Sequence, residues 1–142
     1  MRYLGLDLGS KTLGIAISDR TNTIASIYKT IFFKEDDYNS LIPELINIVK
    51  EEDISIIVLG FPKNMDNTIG TRAEITLEFK KKLEDSIGIK VELMDERLTS
   101  VIANNVLIGA DVSRKKRKKK VDGMAALLIL QSYIDRKRNE YE

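Results

Sequence analysis

The sequence predicts an α/β layered domain in which a mixed β-sheet carries helices on both faces. Three strand-like segments with very short connections open the chain, two later strand-like segments each follow a helix, and segment 54–60 is almost continuously apolar. Closely connected strands form antiparallel meanders, whereas strands that return through a helix lie parallel to a neighbour. A strand without polar alternation is typical of the centre of a sheet that is covered on both faces.

The first half of the chain supplies the antiparallel meander and one helix. Leu4, Leu6 and Leu8 alternate with small or polar residues, which is the period of a β-strand. Turn signals separate this strand from two further runs that are rich in β-branched and aromatic residues. The predicted elements are strands at 3–8, 12–19 and 24–33, followed by a helix over about 41–49 with Pro43 in its first turn.

The second half alternates strands with helices. Apolar residues that recur every four positions after residue 70 indicate a helix, which we expect Thr71 and Glu74 to open as a capping box and Gly88 to end. The predicted elements are a strand at 54–60, a loop at 61–70, a helix that ends before Gly88, a strand at 89–96, a short helix at 99–109 and a last helix from about Val121 to Asn139.

Composition restricts the chemistry that the chain can perform. A length of 142 residues predicts a single domain, 1–142, with a sizeable core. Cysteine and histidine are both absent, which excludes Ser-His-Asp triads, thiol nucleophiles and zinc sites built on His or Cys. Carboxylates remain, and they prefer hard cations such as Mg²⁺ or Mn²⁺. With no long apolar run and no signal-peptide pattern, we expect a cytoplasmic protein without membrane contact.

Seven consecutive basic residues, 114–120, concentrate the positive charge of the chain. Outside this segment 16 basic residues stand against 22 acidic ones, a net charge of −6, although the whole chain has +1. This asymmetry predicts a local contact with a polyanion; a solvated loop is the alternative. We interpret about 110–120 as a mobile loop held open by self-repulsion. The residues expected to contact nucleic-acid phosphates are Arg114, Lys115, Lys116, Arg117 and Lys118.

Three acids occupy positions where element ends can meet. Asp7 lies near the end of the first strand, where a carboxylate in a covered sheet must be paired or liganded. Glu96 ends the last strand, and Asp122 begins the last helix. Solvated charges at a strand end and ordinary helix capping are the alternatives for these two. If all three converge on one rim, their mutual repulsion requires cations between them. The buried stripe of the last helix is predicted at Ala125, Ala126, Ile129 and Tyr133.

Further polar residues lie in loops and helix starts beside the predicted rim. Lys11 follows Asp7 in a turn, and Lys63 and Asn64 follow the central strand. Arg72 lies in the first turn of a helix, where the helix dipole disfavours a cation, and Arg97 follows Glu96. We interpret these residues as candidate phosphate or substrate contacts, with solvated surface charges as the alternative.

Four stretches together resemble a known family. The segments LGLDLGSKTLGIAISD (4–19), GFPKNMDNTIGTRAE (60–74), DERLTS (95–100) and SRKKRKKKVDGMAALLILQSYID (113–135) closely resemble the YqgF-type proteins. These are described as Holliday junction resolvases and as pre-16S ribosomal RNA nucleases, and they are related to the RuvC-type resolvases. The similarity covers essentially the whole chain in the same order. Asn67 and Gly123 depart from the usual pattern, in which Gly and a larger residue stand there.

The resemblance implies a ribonuclease H-like fold with a five-stranded mixed sheet in the order 3-2-1-4-5, flanked by helices. It implies a catalytic and metal-binding trio of Asp7, Glu96 and Asp122. It also implies metal-dependent cleavage of structured nucleic acid. Two Mg²⁺ or Mn²⁺ ions in such a site activate a water molecule and stabilise the leaving oxygen of a phosphodiester.

The resulting hypothesis is a nuclease that matures the 5′ end of pre-16S ribosomal RNA, with ribosomal particles as possible partners. A Holliday junction resolvase acting on branched DNA is one alternative, and a non-catalytic nucleic-acid-binding factor of ribosome assembly is another. A phosphotransferase is a weaker alternative, because the hairpin resembles the phosphate-binding hairpin of sugar kinases but that fold needs two such domains. Junction cleavage on two strands favours a homodimer, whereas RNA trimming is compatible with a monomer.

Overall fold

The computed structural model describes residues 1–61, 70–95 and 114–140, and only the backbone of Asp95, 114–122 and 138–140. The described ranges contain five strands and three α-helices, and a 3-10 turn at Tyr38–Ser40 precedes the first helix. These elements are β1 (Arg2–Leu8), β2 (Thr12–Ser18), β3 (Ala25–Phe32), α1 (Leu41–Glu51), β4 (Ile54–Phe61), α2 (Thr71–Ile87), β5 (Lys90–Asp95) and α3 (Arg114–Glu140). The predicted helix at 99–109 lies outside the described residues.

The strands form a five-stranded sheet in the order β3-β2-β1-β4-β5, which confirms the predicted fold. The first three strands pair antiparallel, as expected from their short connections. β4 pairs parallel with β1 on one side and with β5 on the other. Parallel pairs require a long crossover, and α1 and α2 lie in the two connections concerned.

Two separate apolar clusters cover the two faces of the sheet. The leucines of β1 point to the first face, where buried residues of α1 and α2 such as Leu45 and Phe79 pack on them. On the second face, Ala126, Ile129 and Leu130 of α3 pack against Ala16 and Val58 of the sheet. The buried stripe predicted for the last helix is therefore confirmed, since Ala125, Ala126, Ile129 and Tyr133 are all at most 4% exposed.

The capping box predicted at Thr71 and Glu74 is wrong. Thr71 is already helical, and Gly70 precedes it as an extended N-cap (φ −94°, ψ −176°) without a side-chain capping bond. The backbone N–H of Glu74 donates to the Gly70 carbonyl at 3.1 Å, so the helical ladder starts at the glycine. The predicted end is confirmed: Gly88 adopts the left-handed conformation (φ 79°) that glycine tolerates best.

Residues 114–120, predicted to belong to a mobile loop at about 110–120, are instead the first residues of α3. Repulsion between like charges in water is weak, whereas Lys and Arg have high helix propensity. The packed part of α3 also supplies the nucleus, so that each added residue requires only propagation of the helix. The remaining residues of the predicted loop, 110–113, lie outside the described ranges.

Across the described ranges, no helix is both long enough and apolar enough to cross a membrane.

Candidate active site at the carboxyl rim of the sheet

The parallel strands β1, β4 and β5 end at one edge of the sheet, which we call the carboxyl rim. Leu6 pairs with Leu59, and Phe61 pairs with Asp95, so the last residues of the three strands lie side by side. The rim also contains the turn from β1 to β2, which is closed by a hydrogen bond from the Gly9 N–H to the Thr12 carbonyl at 2.8 Å. Ligand sites of open α/β sheets occur beyond the carboxyl ends of such strands.

Asp7 is the member of the predicted acidic trio that the structure places at this rim. It is the penultimate residue of β1, it is half-buried, and it points to the face that α3 covers, because it alternates with the buried leucines. Its partner on β2 is Gly14, and the β4 register continues from Leu59 to Gly60 beside it. Residues directly opposite each other share a face, so neither neighbour fills the space over the Asp7 carboxylate.

These two glycines were missed as site residues in the sequence. Both are buried, and both lie in strands whose other residues are mostly bulky and apolar. A glycine in a strand interior often marks a place where a ligand approaches the backbone closely. Their occurrence in LGIAIS and VLGF was therefore a usable signal, although only the strand register shows that they flank the same carboxylate.

Helix α3 runs antiparallel to β1 and brings its early residues toward the carboxyl rim. Tyr3, at the start of β1, makes an edge-to-face ring contact with Tyr133 at 5.6 Å between centroids. Further along β1, the backbone of Gly5 faces Leu130 and Ala126. Asp122 lies one helical turn before Ala126, and its backbone therefore lies on the rim side of this contact; its side chain lies outside the described part.

Several predicted site residues are outside the described ranges. Glu96 and Arg97 come directly after β5, and Lys63 and Asn64 come directly after β4. The strands that lead to them both end at the carboxyl rim, at Asp95 and Phe61 respectively. The convergence of the three acids thus stays a prediction.

Arg72 lies at the rim, where it joins α2 to the end of β1. Its Nη2 donates to the carbonyl oxygen of Leu8 at 2.8 Å, and its Nη1 donates to the Tyr38 hydroxyl at 3.2 Å. The ring of Tyr38 packs in turn against Phe79 at 6.5 Å. These contacts explain a cation in the first turn of a helix without a substrate, and they hold the guanidinium one residue from Asp7.

Lys11 and the basic segment are the predicted sources of positive charge near the rim. Lys11 is exposed in the turn that follows β1, close in the chain to Asp7. The five basic residues predicted to contact phosphates occupy the first turns of α3, ahead of the part of this helix that packs on the sheet. These five residues are Arg114, Lys115, Lys116, Arg117 and Lys118.

A cavity of about 410 Å³ lies beside the middle of β5, away from the rim. Burial would raise the pKa of Glu92 in its wall, but hydrogen bonds from Tyr133 and Lys90 and the charges of Lys90 and Lys137 outweigh it and lower that pKa. The cavity lining combines this one carboxylate with three cations, and the cavity lies apart from the strand ends that form the rim. Its lining consists of Lys80, Glu92, Leu93, Tyr133, Arg136 and Lys137.

The donor chemistry of the rim fits a magnesium or manganese ion rather than a softer metal. Asp7 offers carboxylate oxygens, and the chain has no histidine or cysteine to offer anything softer. Among the described side chains, no group of three acids is close enough to hold a metal ion. The described side chains do not include those of Glu96 and Asp122, which the proposed three-carboxylate site requires.

A comparison with known families matches residues 1–136 to the family described as RuvX, Holliday junction resolvase. The chain belongs to the RuvX family. This confirms the family resemblance drawn from its four motifs, and it makes the chain a nuclease, a hydrolase that acts on phosphodiester bonds of nucleic acid.

Curated relatives of this RuvX chain match it over nearly their whole length. A protein from Oceanobacillus iheyensis is 47% identical over 137 residues, which are 96% of this chain and 100% of the relative. A protein from Bacillus subtilis is 50% identical over 135 residues, which are 95% of this chain and 98% of the relative. Both are provisionally named "pre-16S rRNA nuclease".

Solved structures show the same fold at much lower identity. RuvC from Thermus thermophilus aligns with a TM-score of 0.57 at 10% identity, covering 98% of this chain and 97% of RuvC. The resolvase of fowlpox virus, solved with Holliday junction DNA, aligns with a TM-score of 0.53 at 16% identity, covering 95% of this chain and 97% of the viral chain. The RuvX chain thus has the ribonuclease H-like fold, whose nucleases generally use divalent metal ions.

Proposed function

We propose that this nuclease matures the 5′ end of pre-16S ribosomal RNA, and that it cuts at the carboxyl rim with divalent ions held by Asp7, Glu96 and Asp122. The observation that supports this substrate is the full-length similarity, at 47–50% identity, to relatives that are provisionally named for it. The rim supports the location, because it has an acid on the central strand that is flanked by glycines on both neighbouring strands.

The strand register favours Glu96 over its neighbour Asp95 as the second acid. Met94 packs on the same cluster as α3, and it pairs with Gly60, the residue beside Asp7. Side chains of a strand alternate between faces, so position 96 is expected on the face of Met94 and Asp95 on the opposite one. Asp122 would complete the set from the helix that covers this face.

Each group has a distinct role in the proposed reaction. The three carboxylates would hold two Mg²⁺ or Mn²⁺ ions, which when bound stabilise charge on the phosphate and lower the pKa of a coordinated water molecule. Lys11 and the basic residues of early α3 neutralise and position the phosphate backbone. Arg72 keeps the end of β1 in place through the Leu8 carbonyl and lies close enough to the rim for a substrate contact as well.

Phosphates rather than bases supply most of the recognition in this proposal. None of the candidate contacts resembles a base-reading element, and lysine and arginine bind the backbone independently of sequence. The nucleic acid would therefore be selected by shape. Such recognition is compatible with a folded RNA inside a ribosomal precursor particle.

Cleavage assays with purified protein test this proposal. With Mn²⁺ or Mg²⁺, the wild-type protein should cut labelled pre-16S RNA, and EDTA should stop the reaction. Asp7→Asn should still bind the RNA within about threefold but lose at least about 10³-fold in kcat, because the ion sites lose their central charge. Asp53→Asn is the matched control, since Asp53 lies at the opposite end of the sheet before β4 and its positive φ of 53° suits asparagine.

The outcomes separate the candidate functions. Wild-type activity in Asp7→Asn would contradict the proposed site. Binding without any metal-stimulated cleavage by the wild-type protein would support the non-catalytic assembly factor instead. Symmetric cleavage of a four-way DNA junction by a homodimer, with intact pre-16S RNA, would support the second candidate function, junction resolution, which the family description and the fowlpox complex favour.

A further inference from the structure

We propose that Gly5 is a positioning residue for the active site, because it sets the distance between β1 and α3 and thereby between Asp7 and Asp122. This inference rests on the proposed function, since it assumes that both acids hold the same ions. Gly5 itself touches neither substrate nor metal in this account. Its contribution is the absence of a side chain at the point where strand and helix come closest.

The contact at Gly5 leaves no room for a β-carbon. A Cβ built on Gly5 would lie 2.7 Å from the Leu130 Cβ and 3.0 Å from the carbonyl oxygen of Ala126. Carbon atoms in packed interiors prefer separations of about 3.5–4.0 Å. Both opposing atoms belong to or adjoin the helix backbone, so no side-chain rotation relieves the overlap. The helix backbone at this contact therefore has to move by a large part of an ångström.

Gly123, which lies in α3, provides a contrast to Gly5. A Cβ built on Gly123 would meet the Cδ1 atom of Ile27 at 3.3 Å. Cδ1 is the end of a flexible side chain that is 48% exposed, so it can turn aside. Crowding at Gly123 is therefore absorbed locally, whereas crowding at Gly5 is transmitted to the helix.

Asp7 on β1 and Asp122 on α3 each lie a short distance along the chain from the Gly5 contact. Asp7 follows Gly5 by two strand residues, about 6.6 Å, and shares its face. Asp122 precedes Ala126 by four helix residues, about 6 Å. Because α3 is antiparallel to β1, both steps lead from the contact toward the carboxyl rim.

The later part of α3 is held in place and would act as a pivot. Gln131 accepts a hydrogen bond from the Ala25 N–H at 2.8 Å and donates one to the Thr23 carbonyl at 3.0 Å. Tyr133 is buried against Tyr3. A displacement enforced at Ala126 therefore tilts the part of the helix before it, which contains Asp122. Catalytic geometry is sensitive to shifts of this size, since about 1 Å of misplacement costs about 10²-fold in rate.

The test is manganese binding without substrate, measured by calorimetry on full-length wild type, Gly5→Ala and Leu45→Ala. Leu45 belongs to α1 and is buried on the opposite face of the sheet, so Leu45→Ala lowers stability without crowding α3. We expect Gly5→Ala to bind Mn²⁺ at least about tenfold more weakly and to lose about 10–100-fold in kcat, with RNA affinity within about threefold. Leu45→Ala should keep wild-type Mn²⁺ affinity at temperatures where circular dichroism shows it folded.

Wild-type Mn²⁺ affinity and kcat in a folded Gly5→Ala protein would overturn the inference, as would an equal loss of Mn²⁺ affinity in Leu45→Ala. If Gly5→Ala does not fold, Ala126→Val, which enlarges the helix side of the same contact, is judged by the same criteria. The Asp7→Asn variant separates a failure of the proposed metal site from a failure of the role proposed for Gly5. Unchanged Mn²⁺ binding in Asp7→Asn removes the proposed metal site itself, whereas its loss there together with normal binding in Gly5→Ala removes only the role of Gly5.

Discussion

At the scale of single residues, Asp7 illustrates which part of a site is encoded locally. Alternation along β1 was enough to separate it from the leucines and to put it on the other face, because that pattern is a property of six neighbouring residues. Its flanking glycines, Gly14 and Gly60, depend on the register between strands that are distant in the chain. The same holds for Arg72, whose bond to the Leu8 carbonyl spans 64 positions.

Asp19 provides a residue-scale prediction for pH dependence. Its carboxylate accepts hydrogen bonds from the backbone N–H groups of Thr23 and Ile24 and from the Thr21 hydroxyl, and these bonds lower its pKa below the ordinary 3.8. A lowered folded-state pKa stabilises the fold at pH values above 3.8 and ceases to do so as the pH falls through the folded-state value. Asp19→Ala should therefore lower the melting temperature by a few degrees at pH 7.

The difference in melting temperature between wild type and Asp19→Ala should shrink steadily below pH 4, as the wild-type carboxylate becomes protonated. Thermal unfolding of both proteins from pH 7 to pH 2.5 measures it. A difference that is constant over this range would show that the charge of Asp19 contributes nothing.

At the scale of elements, the helices show where local rules compete. The start of α3 was predicted at about residue 121, because like charges in the basic segment repel, yet the helix begins at Arg114. Intrinsic propensity and a packed continuation outweigh a screened repulsion. For α2, the Thr-x-x-Glu pattern predicts an N-cap at Thr71, one residue after the observed N-cap Gly70. A glycine can occupy the N-cap without a side-chain bond. The end of α2 at Gly88 and the buried stripe of α3 were predictable, because each depends only on the sequence of the helix concerned.

A helical start of α3 bears on the proposed contact between the basic residues and nucleic acid. A helix of 27 residues is about 40 Å long, whereas the seven residues of β1 span about 23 Å. The backbone of the nine residues before Gly123 extends the helix at the end that leads to the carboxyl rim. The segment would then act as an ordered arm, which loses less conformational entropy on binding than a loop.

Neutralising Lys115, Lys116 and Lys118 to glutamine tests this arm. Glutamine preserves helix propensity, so helicity should be kept while RNA affinity falls. The slope of log K against log salt concentration should decrease by about 1–2, since each lost phosphate contact contributes about 0.7–0.9. The value of kcat at saturating RNA should stay within about threefold.

The matched control replaces three exposed lysines elsewhere, Lys29, Lys50 and Lys81, by glutamine. It changes net charge equally, so an equal loss of affinity and slope would mean that overall charge, and not the basic segment, attracts the RNA. Filter binding of uncleaved RNA to the Asp7→Asn background, from 50 to 400 mM salt, provides the measurement for both variants.

At the scale of the whole molecule, the layered α/β class followed from the order of elements alone, because meanders and helical crossovers leave few topologies. The strand order came from the family resemblance, and it is confirmed. No local sequence pattern could predict that residue 5 contacts residues 126 and 130 across the second face. That contact sets the layer spacing, and the proposed site depends on it, since its acids come from a strand and from the helix that packs on it.

The most direct test of the proposed metal site is a crystal of the wild-type protein soaked in Mn²⁺, with the ions located by anomalous scattering. Manganese should appear at the carboxyl rim, bound by Asp7 together with Glu96 and Asp122. Manganese bound only by other residues, or no manganese in contact with Asp7 in a crystal of protein that needs Mn²⁺ for cleavage, would contradict it.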